Sequence, residues 1–300
     1  MEKIRQNSPK AWFLASRIKT LTGAATPVII GAVLAYTDIS AGTGVFQWRI
    51  FLPALLFALL MQIDANFIND YFDFKKGSDR EDRLGPERAC AQGWITPKAM
   101  KTGIVVTTIL GCLAGLPLAF MADMRLILIG IACVAFAFLY TTHLSYMGLG
   151  DILVLLFFGI VPVGFTYYML TGFQWTIYTT ILGIACGAAI DTLLIINNYR
   201  DYEQDLKSGK KTIVVHFGPK FGLWLYGIAV TLCTVLTMIA IANIKSGYHS
   251  LPILFYFIRA IHTCSRMSRT SGKELNLLLG ETSSNILIYG VLVSICLFAQ

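Results

Sequence analysis

Long apolar segments separated by short polar ones run through the whole chain. Apolar runs of about 20 residues match the roughly 30 Å hydrocarbon thickness of a bilayer. A segment within lipid must satisfy its own backbone hydrogen bonds, so it forms a helix or joins a closed barrel. Barrel strands alternate apolar and polar residues, which these runs do not. The pattern therefore predicts an all-α, polytopic membrane protein with nine transmembrane helices, at about residues 21–36, 50–68, 102–121, 125–141, 152–170, 176–196, 221–243, 250–263 and 278–298.

The eighth segment is the least regular, because it is short and ends in Arg259 and His262. A tilted or interfacial helix fits it as well as a full span does. No stretch has the composition of a linker or of a soluble second domain, so residues 1–300 are expected to form one transmembrane domain. Seven cysteines occur singly, without the paired spacing typical of a zinc site or a disulfide framework.

The charged residues are few, and their placement predicts the orientation of the chain. Only 14% of residues are charged, against about 25% in a soluble domain. Twenty-one of the 24 Lys and Arg residues lie in the N-terminal tail and in the loops after the second, sixth and eighth segments. Because basic loops remain in the cytoplasm, the N-terminus is predicted to be cytoplasmic and the C-terminus outside. Membrane orientation thus explains the net charge of +7, and nucleic acid is not an expected partner.

Two acidic clusters interrupt the basic loops. Nine of the 17 acidic residues lie at positions 70–87 and 201–205, after the second and sixth apolar segments. Within each cluster the polar side chains recur three or four residues apart, so they meet on neighbouring faces of one helical turn. The first cluster contains Asn66, Asn69, Asp70, Asp73 and, further along the loop, Asp79; the second contains Asn197, Asp201 and Asp205.

The oxygen-rich side chains of these clusters are candidate ligands for Mg²⁺. This ion commonly combines one or two carboxylates with the phosphates of a substrate, so two clusters on one membrane side favour a polyanion held through divalent metal. Polar groups at the end of a span are costly and usually functional. The alternative is a solvated helix end in the headgroup zone, which remains open above all for the loop residue Asp79.

Other polar residues near the cytoplasmic face have two interpretations each. Basic residues after the clusters can neutralise a phosphate leaving group, although the positive-inside rule places basic residues there in any case. Asp151 is a helix cap or a site residue, and the tyrosines either stabilise a cation with their faces or belong to the interfacial aromatic belt. Arg200 is expected on a salt-bridged surface. The candidates are Lys76, Arg80, Arg83, Lys210 and Lys211 for phosphate, and Tyr140, Asp151 and Tyr199 for a substrate pocket.

At these clusters the chain resembles the UbiA superfamily of intramembrane prenyltransferases, over nearly its whole length. The family pattern Asp-x-x-x-Asp is met by Asp201 and Asp205. The pattern Asn-Asp-x-x-Asp-x-x-x-Asp is met by its first three residues, but Gly77 stands where the last Asp belongs, and Asp79 comes two residues later. This departure, with NDYFDFKKGSD, DRLGPERACAQGWITP and ASRIKT, is similar to the branch that prenylates 1,4-dihydroxy-2-naphthoate in menaquinone synthesis.

The resemblance implies a fold, a reaction and a location. Nine helices would surround a central cavity, in a bacterial inner membrane. Two Mg²⁺ ions held by the catalytic residues Asp70, Asp73, Asp201 and Asp205 would bind a polyprenyl diphosphate, and Arg17, Arg83, Lys210 and Lys211 would steady the leaving diphosphate. The allylic bond would ionise, and an electron-rich aromatic ring, here 1,4-dihydroxy-2-naphthoate, would attack the cation with loss of CO₂ to give demethylmenaquinol.

Two other functions are alternatives to this one. Sister reactions in the superfamily use 4-hydroxybenzoate, haem or chlorophyllide as the acceptor. A cation-coupled transporter would use the intramembrane acids as an ion pathway, but its acids are expected near mid-membrane, whereas these cluster at one face.

Overall fold

The computed structural model describes residues 4–42, 44–77, 83–245 and 247–299, and within these ranges all regular structure is helical. This confirms the predicted all-α class. The α-helices are α1 Pro9–Ala15, α2 Leu21–Ala41, α3 Trp48–Lys76, α4 Pro97–Met121, α5 Leu126–Thr142, α6 Gly150–Val154, α7 Val161–Leu170, α8 Ile177–Arg200, α9 Tyr202–Ser208, α10 Ile213–Phe217, α11 Pro219–Ile244, α12 Ile253–Met267 and α13 Leu275–Phe298. A π-helical turn, Leu155–Ile160, joins α6 to α7.

A helix lies at each of the nine predicted spans. In the described part of the chain, seven helical segments are long and apolar enough to cross a bilayer. The fourth predicted span, α5, is apolar but shorter. The eighth, α12, has 15 residues and a strongly amphipathic sequence, so it does not reach the length that a bilayer requires. Nine crossings therefore remain a prediction.

The two acidic clusters lie on extensions of membrane helices. Helix α3 continues eight residues beyond its predicted end and stops at Gly77, whose φ of 68° closes the helix in the left-handed conformation that glycine adopts at little cost. Helix α8 likewise continues to Arg200 and turns at Asp201 into the short α9. Within the described residues, the first cluster is consequently held on α3 and the second on α8, the turn at Asp201 and α9.

Glycines bring the centre of the bundle into close contact. A Cβ at Gly159, in the π-helical turn, would lie 2.3 Å from the carbonyl oxygen of Gly183, and one at Gly187 would lie 2.8 Å from Cα of Leu155. Only glycine fits there, because the two backbones touch. The small-residue spacing in α8 thus allows the bent α6–α7 segment to pack against it.

The outer surface of the bundle is apolar. Large apolar side chains are exposed along α4 and α11 at intervals of three or four residues, which places them on one face of each helix. These faces suit contact with lipid tails. They include Val106, Leu110, Leu113 and Phe120 on α4, and Trp224, Ile228, Leu232, Val235 and Ile239 on α11.

We expect Gly159→Ala to destabilise the folded protein by about 1–3 kcal/mol, because overpacking a close contact forces the backbones apart. The measurement is the thermal unfolding midpoint of the purified protein in detergent. Gly227→Ala in α11 is the control, since a Cβ there meets no atom within 4 Å. Equal midpoints for the two variants would contradict the packing argument.

Candidate active site

The first acidic cluster organises the segment that follows it. Both carboxylate oxygens of the buried Asp70 accept backbone N–H groups, from Ala89 and Cys90, each at 2.8 Å. Asp73 accepts a hydrogen bond from Nη2 of Arg88 at 2.8 Å. Asp70 thus anchors residues 88–90 against α3, and Arg88 supplies a counter-charge to Asp73.

The two asparagines of this cluster connect α3 to its neighbours. The side-chain amide of Asn66 donates to the backbone oxygen of Ser16 at 2.9 Å and to the hydroxyl of Thr20 at 3.0 Å. Asn69 accepts a hydrogen bond from the hydroxyl of Thr141. These contacts hold α3 against the start of α2 and the end of α5, so they position the carboxylates one turn further on.

The second cluster contains two ion pairs of different strength. Nε and Nη2 of Arg200 donate to the two carboxylate oxygens of Asp201 at 2.8 and 2.7 Å, which is the bidentate geometry of a strong pair. Asp205 lies 3.7 Å from Nζ of Lys210. The amide of Asn197 donates back to the carbonyl of Leu193 within α8.

Residues 83–90, in the connection between α3 and α4, contact both acidic clusters. A Cβ at Gly85 would lie 2.8 Å from Nη2 of Arg200 and 3.3 Å from Nη2 of Arg83. The same segment carries Arg88, the partner of Asp73. Both acidic clusters therefore lie at the same end of the bundle, with residues 83–90 between them.

Arg17 reaches this cluster from the start of the chain. It has φ of 50°, an uncommon conformation for a side-chain-bearing residue, and it precedes the turn Ile18–Thr20. Its guanidinium interacts electrostatically with Arg83, Arg88, Asp70 and Asp73. One of its nitrogens, Nη2, is buried without a hydrogen-bond partner among the described residues. That N–H group is suitably placed to donate to an anion.

The remaining basic candidates differ in position. Nζ of Lys76 donates to the carbonyls of Thr141 and Thr142 and lies 4.2 Å from the ring centre of Tyr146. Lys76 therefore caps the C-terminal end of α5. Lys211 is exposed, and its backbone N–H donates to Tyr146. Two predicted residues, Asp79 and Arg80, lie outside the described residues.

Two buried carboxyl groups lie beside Tyr140. Asp151 and Asp191 are each less than one-tenth exposed, and they interact electrostatically with each other and with Tyr140. One oxygen of each is buried with no hydrogen-bond partner in the described part of the chain. A ligand that donates hydrogen bonds would satisfy them. Tyr199, in contrast, packs against α11, with its ring 3.4 Å from a Cβ position at Gly222.

A large apolar cavity lies between α2, α3, α4, α5 and the α6–α7 segment, with a volume of about 530 Å³. On α3 its lining includes Gln62 and Ala65, one turn before the first acidic cluster. On α5 it includes Phe136, whose ring stacks on Phe157 at 3.9 Å and lies 5.5 Å from the ring of Tyr140. The cavity thus connects the charged end of the bundle with its apolar interior.

The carboxylate oxygens of the two clusters suit a divalent metal ion that also coordinates a substrate. One oxygen of Asp205 is buried without a partner among the described residues, and burial raises the pKa of this carboxyl to about 6. A cation nearby would stabilise its charged form. Within residues 4–42, 44–77, 83–245 and 247–299, no three His, Cys, Asp or Glu side chains converge on one point. Mg²⁺ sites that hold phosphates commonly take one or two carboxylates from the protein and further oxygen ligands from the substrate.

Sequence reasoning missed two residues of this candidate site and noted a third, Asp191, without assigning it a role. Arg200 was expected on a salt-bridged surface, but it is buried and paired with Asp201. Arg88 had no predicted role in the site, although it pairs with Asp73. Asp191 carried one signal, since an acid within an apolar span needs a partner, but nothing in its spacing showed that Asp151 lies beside it.

Comparison with known proteins identifies the family. The model of the UbiA prenyltransferase family matches residues 24–285. The chain belongs to this family. It is a prenyltransferase and a multi-pass membrane protein. It is 32% identical to 1,4-dihydroxy-2-naphthoate octaprenyltransferase of Haemophilus influenzae, over 98% of this chain and 97% of that protein. It is 40% identical to the Escherichia coli protein of the same name, over 70% of this chain and 69% of that one.

Solved structures share the fold. A UbiA homologue from Aeropyrum pernix superimposes with a TM-score of 0.69 at 14% identity, covering 92% of this chain and 96% of that one. A UbiA homologue from Archaeoglobus fulgidus, bound to DMAPP and Mg²⁺, superimposes with a TM-score of 0.64 at 16% identity, covering 94% and 98%. The helical arrangement of the prenyltransferase is therefore that of the family.

We expect Asp73→Asn and Asp201→Asn each to reduce prenyl transfer by at least about 100-fold, since each removes a carboxylate that is a candidate ligand for the metal ion that would balance the charge of the diphosphate. The measurement is turnover of purified enzyme, with the unfolding midpoint as a check on folding.

The matched control is Asp123→Asn, which also removes an Asp–Arg pair, with Arg125 at 2.8 Å, in the loop between α4 and α5. It should retain most of the activity. Normal turnover in the Asp73 or Asp201 variant would remove that residue from the site.

Proposed function

We propose that this enzyme transfers a polyprenyl group from polyprenyl diphosphate to 1,4-dihydroxy-2-naphthoate with loss of CO₂, giving demethylmenaquinol. The observation that carries the acceptor is the identity of 32% to a relative of that name across almost the whole of both chains. The whole chain would act as one domain, in a bacterial inner membrane with the N-terminus in the cytoplasm. Prenyl transfer to 4-hydroxybenzoate is the alternative within the family.

The diphosphate would bind between the two acidic clusters. Mg²⁺ bound by Asp73, Asp201 and Asp205 would neutralise the charge that develops on the leaving diphosphate. Asp70 holds Ala89 and Cys90 in place through their two backbone N–H groups. Arg17 would donate its unpaired N–H to a phosphate oxygen.

The prenyl chain would occupy the apolar cavity. Its volume of about 530 Å³ and its apolar lining suit an isoprenoid tail, and an apolar wall keeps water from a carbocation. Phe136 and Phe157 line the cavity and offer aromatic faces, which stabilise a cation. Tyr140 extends this aromatic row towards the buried carboxyl groups.

The acceptor would bind beside Tyr140 and Asp151. A dihydroxynaphthoate carries two hydroxyl groups that donate hydrogen bonds, and Asp151 and Asp191 each have a buried oxygen without a partner in the described residues. Pairing those oxygens removes a desolvation cost. Tyr199, which packs against α11, would shape the wall behind this pocket.

The decisive experiment is product analysis by mass spectrometry. Purified enzyme is incubated with a long polyprenyl diphosphate, Mg²⁺ and either dihydroxynaphthoate or 4-hydroxybenzoate. We expect demethylmenaquinol from dihydroxynaphthoate, and none after chelation of the metal. Turnover of 4-hydroxybenzoate alone would refute dihydroxynaphthoate as the acceptor. Full turnover in the presence of chelator would refute the requirement for metal.

We expect Asp151→Asn to raise the KM for the aromatic acceptor about tenfold, since one hydrogen bond to a charged group is weakened, and to leave the KM for the prenyl diphosphate unchanged. Initial rates with each substrate varied in turn measure both constants. Asp64→Asn is the control, because Asp64 is another buried acid in a span, bound to Thr108 at 2.7 Å on the α3–α4 side. Equal acceptor KM values in the two variants would place Asp151 outside the pocket.

A further inference from the structure

Residues 83–90 span the distance between the two acidic clusters, and both of their ends are anchored. At the α3 end, Asp70 accepts the N–H groups of Ala89 and Cys90. At the α8 end, the segment crosses the guanidinium of Arg200, with a Cβ position of Gly85 only 2.8 Å from Nη2. The geometry of one cluster relative to the other therefore depends on how this bridging segment, residues 83–90, is fixed at the α8 end.

Among the described residues, the side chain of Asn276 makes a connection at that end. Asn276, in the first turn of α13, donates from Nδ2 to the backbone oxygen of Leu84 at 2.7 Å. Its Oδ1 accepts from Nη1 of Arg200 at 2.9 Å. One amide thus contacts the bridging segment and the second acidic cluster at once. Asparagine suits this position because its side chain both donates and accepts.

Arg200 transmits the position of Asn276 to Asp201. Nε and Nη2 of the buried guanidinium bind the two oxygens of Asp201, and Nη1 binds Asn276. All three nitrogens are occupied in a planar fork, so the guanidinium cannot rotate without breaking a charged hydrogen bond. The direction of the Asp201 carboxylate is consequently set from α13, a helix that contributes no carboxylate to the predicted metal site.

We propose that Asn276 is a positioning residue, which holds the two acidic clusters at the separation that a Mg²⁺–diphosphate ligand requires. This inference rests on the proposed function, because it presumes a ligand that contacts both clusters. Asn276 does not touch the substrate in this arrangement. Its loss would loosen Arg200 and the bridging segment while every predicted metal ligand remains in the chain.

The test compares Asn276→Ala with a matched variant of the same helix. Asn285 is another asparagine of α13, buried where Asn276 is half-buried. Its side-chain oxygen also accepts from an arginine, Arg259, at 3.1 Å, but its amide donates to Thr263 of α12. Both variants remove an Asn–Arg contact from α13, and only the first lies beside an acidic cluster. Unfolding midpoints show whether each purified variant is folded.

Metal binding is measured without turnover. Mn²⁺ replaces Mg²⁺, inorganic diphosphate is the probe, and electron paramagnetic resonance of free Mn²⁺ gives the bound fraction. We expect Asn276→Ala to weaken diphosphate-dependent Mn²⁺ binding about tenfold, the effect of losing one hydrogen bond to a charged group. Asn285→Ala should remain within about twofold of the wild type, because distant sites act independently.

Kinetics separate positioning from general damage. Asn276→Ala should raise the KM for polyprenyl diphosphate and the Mg²⁺ concentration that gives half-maximal activity. It should leave the KM for the acceptor unchanged. Gly85→Ala is a second variant, which pushes against Nη2 of Arg200 and leaves Asn276 intact. It should give the same pattern, because it displaces the same guanidinium.

The outcomes separate the positioning role of Asn276 from the proposed function on which it rests. Wild-type protein that binds no Mn²⁺ in the presence of diphosphate overturns both. Wild-type binding, with equal binding in Asn276→Ala, overturns the role of Asn276 alone. A loss of equal size in the Asn276 and Asn285 variants also overturns it, because the effect then belongs to the packing of α13.

Discussion

Buried arginines paired with half-buried carboxylates at one end of an apolar bundle are the constraint on which the rest of this structure depends. A carboxylate or guanidinium withdrawn from water is costly unless it is paired. Asp73 is paired with Arg88, and Asp201 with Arg200. Removing either partner takes away the counter-charge of the other, so each of these carboxylates needs a particular arginine beside it. The segment after α3, the turn after α8 and the first turn of α13 are all positioned by these pairs.

The apolar half of the molecule is organised differently. Contacts between glycines of α8 and the π-helical turn let helices approach closely, and shape complementarity replaces charge pairing in their packing. Between α2, α3, α4, α5 and α7 the packing leaves a cavity of about 530 Å³. A charged mouth next to an apolar chamber is what a diphosphate with an isoprenoid tail requires. The charge-paired end of the bundle therefore matches the diphosphate of the proposed substrate, and the apolar interior matches its isoprenoid tail.

Much of this arrangement was predictable from sequence, because it depends on local patterns. Apolar runs of bilayer length predicted a helix at each of nine positions, and spacings of four and three residues predicted that Asn66, Asp70 and Asp73 share a helical end. The pairing of residues distant in sequence was not predictable. Arg88 and Arg200 resemble any other basic residue of a cytoplasmic loop, and nothing in their spacing shows that they are buried. Asn276 lies 76 residues from its partner Arg200, which no periodicity can show.

The arginine pairs bear on the order in which ligands bind. In the described part of the chain no three His, Cys, Asp or Glu side chains converge, and Mg²⁺ commonly completes its near-octahedral shell with water and substrate phosphates. Asp73 and Asp201 are instead neutralised by guanidinium groups. If a carboxylate turns to a metal, its arginine loses an anion and must find another, which a diphosphate supplies in the same place. Metal and diphosphate would then bind with positive coupling, because the metal takes the carboxylate and the diphosphate takes the arginine that the carboxylate releases.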